Sequence, residues 1–282
     1  MNFYSPLFNF DSNVESYQLA QYVVLSKEGF CNEYIKRRDF LSQDEINNIN
    51  KCKFWIKVTD SFPKYLKPSV ICNTLLLSMW VNKPNQIKTR FRFDNYTPVR
   101  QLDQFQYIRV DSNDNSFDLN DLENVKIFYN AFCRIIRRNK RLYIAQLNTF
   151  MGCQQYHWEV AFLLFSAAFE ALLNYQRGYG VIKRLAKANA CLMEQTKYKK
   201  DSLFKKFEKL YNIRSDIMHG EQKKRQRTDG NLKKLSELSS LLRNLWQKIL
   251  TDKDLQTILE ADDNIREAFF KKIQSGYSVP VK

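Results

Sequence analysis

The first part of the chain alternates apolar and polar residues over short stretches, a pattern that favours β-strands. Strands are predicted over residues 17–26, 54–58, 86–93 and 105–110, which are rich in β-branched and aromatic residues. Two helices interrupt them. Ser42 and Glu45 have the spacing of a capping box that opens a short helix, and Pro68 opens a second helix that stops at Pro84. These elements predict an α+β module.

Beyond residue 118 the apolar residues recur every three or four positions, which predicts helices. Helices are expected over residues 120–138, 141–150, 158–175, 181–193, 202–219, 232–250 and 264–273. The helix from Trp158 to Tyr175 is apolar nearly all round and is therefore expected to lie inside a bundle. The turn-rich segment 111–120 separates the two patterns. We predict a mixed fold: an α+β N-terminal module over residues 1–118, followed by an all-α helical-bundle domain over residues 119–282.

Composition narrows the class of protein. The 282 residues include 45 Lys+Arg against 30 Asp+Glu, a net charge of +15. Such a surplus predicts an anionic partner, with nucleic acid first, an anionic membrane second and a merely solvated basic surface as the alternative. Six scattered cysteines without a C-x-x-C pair and only two histidines argue against a zinc knuckle, a disulfide framework and a His-rich metal site. We expect no metal and no cofactor. The absence of a visible secretory signal or a membrane-length apolar stretch predicts a cytoplasmic protein without a membrane partner.

One predicted helix, over residues 202–219, carries an arginine on its apolar face. Arg214 occupies the position between Leu210 and Ile217 that should continue the apolar stripe. A guanidinium there is costly unless it has a partner or faces a cavity. One interpretation is an arginine that snorkels, or that pairs with a carboxylate such as Glu170. The other is an arginine held toward a cleft that binds phosphate.

His219 ends the same helix, directly before Gly220, which is suited to the C-terminal cap. A lone histidine in this position is more often a capping or surface residue than a catalyst. Five residues of α-helix leave Arg214 and His219 about 140° apart and about 7.5 Å apart along the axis. The two side chains can grip one phosphate only if the last turn is distorted or if two copies of the helix meet about a two-fold axis. If the pair is catalytic, the spacing predicts a dimer.

Aromatic residues interleave with arginines near the end of the α+β module. The set comprises Phe91, Phe93, Tyr96 and Tyr107 together with Arg90, Arg92 and Arg100. A platform on which nucleic-acid bases stack is one interpretation. A sheet with an aromatic core face explains the same residues equally well.

The segment Arg214-Ser215-Asp216-Ile217-Met218-His219 has the form of the R-x4–6-H motif of HEPN ribonucleases. The wider string YNIRSDIMHG, preceded by the apolar helix FLLFSAAFEALLN, resembles the Apea-type branch of that superfamily. The resemblance covers roughly residues 119–276. It implies a metal-independent endoribonuclease that works as a homodimer or a higher even oligomer. Its products would carry a 2′,3′-cyclic phosphate or the 3′-phosphate derived from it.

The resemblance also implies roles for individual residues. His219 would act as general acid/base on the ribose 2′-OH or the leaving 5′-oxygen, and Arg214 would stabilise charge on the scissile phosphate. Ser215 and Asp216 would position the histidine or the phosphate, and Glu170 would orient Arg214 or simply pair with it in the core. The loop after the motif carries four basic residues, Lys223, Lys224, Arg225 and Arg227. This loop would grip the RNA backbone; a solvated turn is the alternative.

The setting that the resemblance implies is prokaryotic phage defence or toxin–antitoxin control, in which cleavage of cellular RNA, tRNA above all, arrests growth. The α+β module would then sense a trigger or restrain the nuclease, and an antitoxin or sensor would be a further partner. The alternative function is a non-catalytic HEPN module that binds RNA or regulates another protein.

Overall fold

The computed structural model describes residues 3–27, 41–59, 61–64, 66–94, 97–100, 114–174, 180–220 and 229–278. These residues form two compact units, one containing the described residues up to 133 and the other those from 134 onward. We call them the N-terminal unit and the helical unit. The division falls inside the helix Leu119–Arg138, and the domain boundary predicted after residue 118 stays a prediction.

The N-terminal unit is built on an antiparallel sheet. Its strands are β1 Phe3–Leu7, β3 Ser16–Ala20, β4 Val23–Ser26, β5 Phe54–Val58, β6 Phe91–Asp94 and β7 Thr97–Arg100, in the order β3-β4-β5-β1-β6-β7. The central strand β1 pairs with β5 so that Ser5 lies opposite Ile56. A separate parallel pair joins β2 Asp11–Ser12 to β8 Ser116–Phe117.

Among its described residues, three helices belong wholly or mainly to this unit: α1 Gln43–Asn50, α2 Pro68–Asn82 and α3 Leu119–Arg138. The capping box of α1 is confirmed, because the Ser42 hydroxyl accepts the Glu45 N–H at 3.3 Å and the Glu45 carboxylate accepts the Ser42 N–H at 2.7 Å. Ile49 of α1 packs with Trp55 of β5 in a buried cluster that also contains Phe91 and Phe93. The core-face interpretation is therefore right for these two phenylalanines. Tyr96 and Tyr107 lie outside the described residues.

Two of the predicted strands are wrong in extent. The single strand predicted over 17–26 is a hairpin, in which β3 and β4 are joined by Gln21 and Tyr22 and Ser16 lies opposite Ser26. The hairpin lets Leu19 and Leu25 be buried in one sheet. The strand predicted over 86–93 is regular only from Phe91, because its earlier part makes a single bridge from Lys88 to Phe8. The strand predicted over 105–110 lies outside the described residues.

The helical unit consists of α4 Lys140–Cys153, α5 Trp158–Leu173, α6 Val181–Met193, α7 Lys197–His219, α8 Asp229–Thr251, α9 Lys253–Glu260 and α10 Asp263–Ser275. As predicted, α5 is an inner helix that packs against α4, α6, α7 and α8. The short helix α9 was not predicted. The Asp252 carboxylate caps it by accepting a hydrogen bond of 2.9 Å from the Leu255 N–H. The coarse prediction of an α+β region followed by a helical region is confirmed. No helix in the described ranges is long and apolar enough to cross a membrane.

Candidate functional site

Aromatic packing between α5 and α7 brings the predicted site residues together. Phe169 of α5 meets Phe207 of α7 edge to face, with ring centroids 4.9 Å apart and an interplanar angle of 84°. Phe207 in turn stacks on Tyr211, at 5.8 Å and 20°. All three rings are buried. Glu170 follows Phe169 directly and Arg214 lies one turn after Tyr211, so this packing places the carboxylate beside the guanidinium.

Arg214 forms an ion pair with Glu170, with 3.2 Å between Nη2 and Oε1. The Tyr211 hydroxyl donates a hydrogen bond to the same carboxylate oxygen, and the guanidinium lies over the Tyr211 ring, 5.7 Å from its centroid. Pairing with Glu170, one of the two interpretations of Arg214, is therefore present in the structure. The side chain nevertheless remains 35% exposed.

The described partners of Arg214 do not use all of its donors. Burial, followed by the hydrogen bond to Glu170, raises the pKa of the Tyr211 phenol above its usual value, so the hydroxyl stays protonated and donates. A guanidinium carries five N–H donors. Glu170 is its only ion-pair partner among the described residues, which leaves donors on the exposed side for an anion.

His219 is not part of this cluster. It is the last residue of α7 and is exposed. Gly220 ends the helix with a left-handed backbone (φ 68°, ψ 15°), and its N–H donates to the carbonyl oxygens of Asp216 and Ile217. The helix is regular through His219, so the imidazole points about 140° away from Arg214. The distorted last turn considered from the sequence is absent here.

The remaining predicted site residues are less informative. Ser215 is half-buried and Asp216 is exposed. Within the described ranges, no hydrogen bond or ion pair joins either side chain to Arg214 or His219. The predicted RNA-binding residues Lys223, Lys224, Arg225 and Arg227 lie outside the described residues. His157, the other histidine, precedes α5 and packs edge to face on Tyr156, with ring centroids 5.4 Å apart.

Sequence reasoning missed a basic surface on α7. We define the lysine face as Lys199, Lys205, Lys206 and Lys209, which are all exposed. Their positions fall within an arc of about 120° on the helix, on the side away from the buried aromatic rings. Lys206 lies 3.8 Å from Glu237 of α8, and Tyr198, 84% exposed, lies within the same arc. The spacing of these lysines was a usable signal, but the helix was predicted to begin only at 202.

No group of three His, Cys, Asp or Glu in the described part of the chain is arranged to hold a metal ion. No family model matches the chain, and a search of curated proteins and of solved structures found no match. The chemistry open to the site therefore follows from its own residues. It offers the guanidinium of a side chain that is 35% exposed, an exposed imidazole at the same helix end, and exposed lysines on another side of the same helix.

Proposed function

We propose that this protein is a metal-independent endoribonuclease that cleaves cellular RNA, with tRNA the favoured substrate, through a site completed by a second copy of the chain. One observation carries the proposal. Arg214, fixed by Glu170 and Tyr211, keeps a third of its side chain exposed on the helix that ends in the exposed imidazole of His219.

Arg214 would bind the scissile phosphate. A planar guanidinium matches the geometry of two phosphate oxygens. Negative charge grows on these oxygens in the transition state, so a pre-positioned cation stabilises that state more than the substrate. Glu170 and Tyr211 hold the guanidinium in place before RNA arrives, and this limits the reorganisation that binding requires.

His219 would move the proton. Its neutral imidazole accepts the proton of the ribose 2′-OH as the 2′-oxygen bonds to phosphorus and the bond from phosphorus to the 5′-oxygen breaks. An imidazolium returns a proton to the leaving 5′-oxygen, so one product ends in a 2′,3′-cyclic phosphate and the other in a 5′-OH. Two copies of His219 at a shared cleft would divide these roles. The helical angle between Arg214 and His219 is the reason for placing two protomers there.

The lysine face supports RNA as the substrate. Lys205 and Lys209 lie about 6 Å apart along the helix axis on the exposed side of α7, and exposed lysines bind phosphates without reading sequence. Exposed Tyr198 offers a ring for stacking a base. A growth-arresting role in phage defence or toxin–antitoxin control is the setting we propose, with the N-terminal unit sensing a trigger or binding an antitoxin.

The central experiment uses total tRNA in EDTA. Wild type, Arg214→Ala and His219→Ala are incubated separately, and the product ends are identified. We expect wild type to leave 2′,3′-cyclic phosphate or 3′-phosphate ends and each variant to lose at least about 100-fold in rate. Cleavage that requires added metal would contradict the proposed mechanism.

A binding experiment tests the lysine face separately from cleavage. Lys205→Ala/Lys209→Ala is compared with Lys253→Ala/Lys272→Ala, which removes the same charge from exposed positions on α9 and α10. We expect the first pair to reduce the slope of log affinity against log salt by roughly 2, about one unit for each lost phosphate contact. Equal slopes for both double variants would remove α7 from the RNA-binding surface.

A second candidate function is a non-catalytic module that binds RNA or regulates a partner. The ion pair between Arg214 and Glu170 favours it, because a paired arginine can serve the fold alone. The tRNA experiment separates the two. Wild type that binds RNA in a salt-dependent manner and never cleaves it supports the non-catalytic module.

A further inference from the structure

The inner helix α5 is not covered on all sides. Nine of its 16 residues are buried. The apolar residues on one face are instead partly or largely exposed: Val160, Leu163, Leu164, Ala167 and Ala171. Their spacing of three or four residues places them within an arc of about 100°. Glu170 lies at the edge of the same arc. The least covered face of the most apolar helix therefore borders the Arg214 ion pair.

The neighbouring helix α4 exposes a row of large apolar side chains. Tyr143, Ile144, Leu147 and Met151 are each 38–41% exposed, and Val160 at the start of α5 is 41% exposed. We call these five residues the α4–α5 face. Their positions on α4 follow the i, i+4, i+8 spacing of a single helical stripe.

The two helices present this face as one continuous surface. Arg141 near the start of α4 donates to the Asn174 carbonyl after α5, so the helices run antiparallel. Gly152 lets them approach closely, because a Cβ at this position would lie 2.6 Å from the Phe165 ring. Thr149 lies on the opposite side of α4 from the exposed stripe, and its hydroxyl accepts a hydrogen bond of 2.9 Å from Trp246 of α8. The stripe is thus on the side of α4 that faces away from the bundle core.

Charge marks this region as different from the rest of the chain. No Lys or Arg occurs between Arg141 and Arg177, and the only charged residues in that interval are Glu159 and Glu170. The chain as a whole carries a net charge of +15. Two copies of so basic a chain repel each other, and the repulsion is smallest where neither copy presents a basic side chain.

The exposed area fits the apolar centre of an interface. With Tyr156, which is 51% exposed and lies in the connection between the two helices, the exposed surface amounts to roughly 400–500 Å². This is within the range of about 300–600 Å² for the largest apolar patch of a typical monomer, a patch that is often functional. A standard interface buries about 800 Å² on each partner, with an apolar centre and a polar rim. The partly covered residues of α5 and the surrounding polar residues would supply the remainder.

We propose that the α4–α5 face is the surface on which a second copy of this chain docks, with the same face contributed by both copies. In a two-fold contact of this kind, the stripe of one copy packs against the same stripe of the other copy. Such a contact needs no charged group on either copy. The proposal rests on the proposed function in one respect, which is that docking there brings the second copy to the edge marked by Glu170. Met218 supports this position of the second copy, because it is an apolar side chain that is 57% exposed. It lies one turn beyond Arg214 on the same side of α7.

The test compares two substitutions of the same residue type. Ile144→Lys places a charge on the α4–α5 face, and Ile127→Lys places it on α3 of the N-terminal unit, at a position that is 49% exposed and is not part of that face. Mass is measured by light scattering and sedimentation without RNA at micromolar concentration. Wild type and Ile127→Lys are expected to have twice the 33.7 kDa mass of the chain. Ile144→Lys is expected to weaken dimerisation at least about 100-fold, since the two-fold contact brings two lysines into an apolar centre.

A milder variant guards against misfolding. Leu147→Gln changes polarity with little change in size, and its dimer dissociation constant should rise about 10-fold while its circular dichroism stays that of wild type. If wild type is monomeric at micromolar concentration, the proposal is overturned, and a different protein would have to cover this face. A dimer of unchanged affinity in Ile144→Lys overturns it as well. Wild type that dimerises through this face and never cleaves RNA leaves the inference standing and removes the nuclease function instead.

Discussion

Lys83 and Arg214 are both partly buried cations, and they differ in how many of their donors have an acceptor among the described residues. In the N-terminal unit, Lys83 Nζ lies 2.7 Å from Asp121 and 3.0 Å from Asp114. It also donates to the Ser116 carbonyl and lies 4.6 Å from the centroid of the Phe117 ring. An ammonium has three donors, and here each has an acceptor.

Arg214 in the helical unit has more donors and fewer acceptors. Its described ion-pair partner is a single carboxylate, Glu170, which also accepts the Tyr211 hydroxyl. A cation whose donors are all used is suited to stabilise the fold, whereas our proposal gives a ligand to the positioned cation that has donors left. Substitutions at the two positions should therefore fail in opposite ways.

The largest expected effect is on cleavage, at Arg214. Arg214→Lys keeps the charge but loses the planar fork, so cleavage of labelled tRNA should slow by roughly 100-fold or more. The free energy of unfolding should change by no more than about 1 kcal/mol, since a partly exposed ion pair contributes little. Single-turnover rates and thermal denaturation measure the two quantities. If Arg214→Lys cleaves tRNA at the wild-type rate or unfolds readily, Arg214 stabilises the fold in the way expected of Lys83.

Lys83→Met should show the reverse. It removes the charged donor of Asp121, which keeps its hydrogen bond from Asn82, and the ammonium that donates to the Ser116 carbonyl. The free energy of unfolding should therefore fall by about 2 kcal/mol. RNA cleavage per folded molecule should stay that of wild type. Lys53→Met is the control, because Lys53 pairs with Asp11 at 2.7 Å but both side chains are about half exposed or more. Its loss should be less than about 1 kcal/mol, and equal losses would remove the distinction.

A smaller effect is expected at the carboxylate that holds Arg214. Glu170→Gln keeps an oxygen for the Tyr211 hydroxyl but loses the charge that fixes the guanidinium, and cleavage should slow by about 10-fold. Tyr211→Phe is the matched control, since it frees the carboxylate for Arg214 alone and should change the rate less. If Glu170→Gln cleaves at the wild-type rate, Glu170 does not position Arg214 for catalysis.

The smallest expected effect is the acid response of the Lys83 cluster. Burial raises the pKa of Asp121, but hydrogen bonds from Lys83 and Asn82 outweigh it and hold the pKa below its ordinary value of 3.8. A carboxyl with a depressed pKa contributes stability above pH 3.8 and loses it as the pH falls through the folded-state value. Asp121→Asn should therefore flatten the fall in stability below pH 4, measured by denaturant titration at a series of pH values. An unchanged slope would show that Asp121 does not titrate with folding.

Local signals in the sequence predicted much of the fold. The capping box at Ser42, the start at Pro68 and the breaks at Gly180 and Gly220 act within a few residues, so the helices they bound could be predicted. The hairpin in 17–26 could not, because a run of apolar residues does not show where a strand turns back on itself. Aromatic residues beside arginines in β6 were equally ambiguous, since only the packed sheet shows which side of it is buried.

The candidate site, too, could be predicted only in part. An arginine on an apolar stripe indicated a paired or functional residue, and Glu170 was among the partners considered. The additional role of Tyr211 depends on the angle at which two helices cross, which no periodicity encodes. For α5, apolar residues all round indicated burial without indicating what buries them. A second copy of the chain and the chain's own core leave the same pattern in a sequence.

Because α7 is regular up to Gly220, the number of residues between Arg214 and His219 sets the angle between their side chains around the helix axis. One inserted residue between them would rotate the imidazole by about 100° and shift it by about 1.5 Å. If the site is shared between two copies of the chain as proposed, such a change could be accommodated only by a new relation between the two copies. The interval between the two residues and the way two chains meet would then have to change together over evolutionary time, so neither could drift alone.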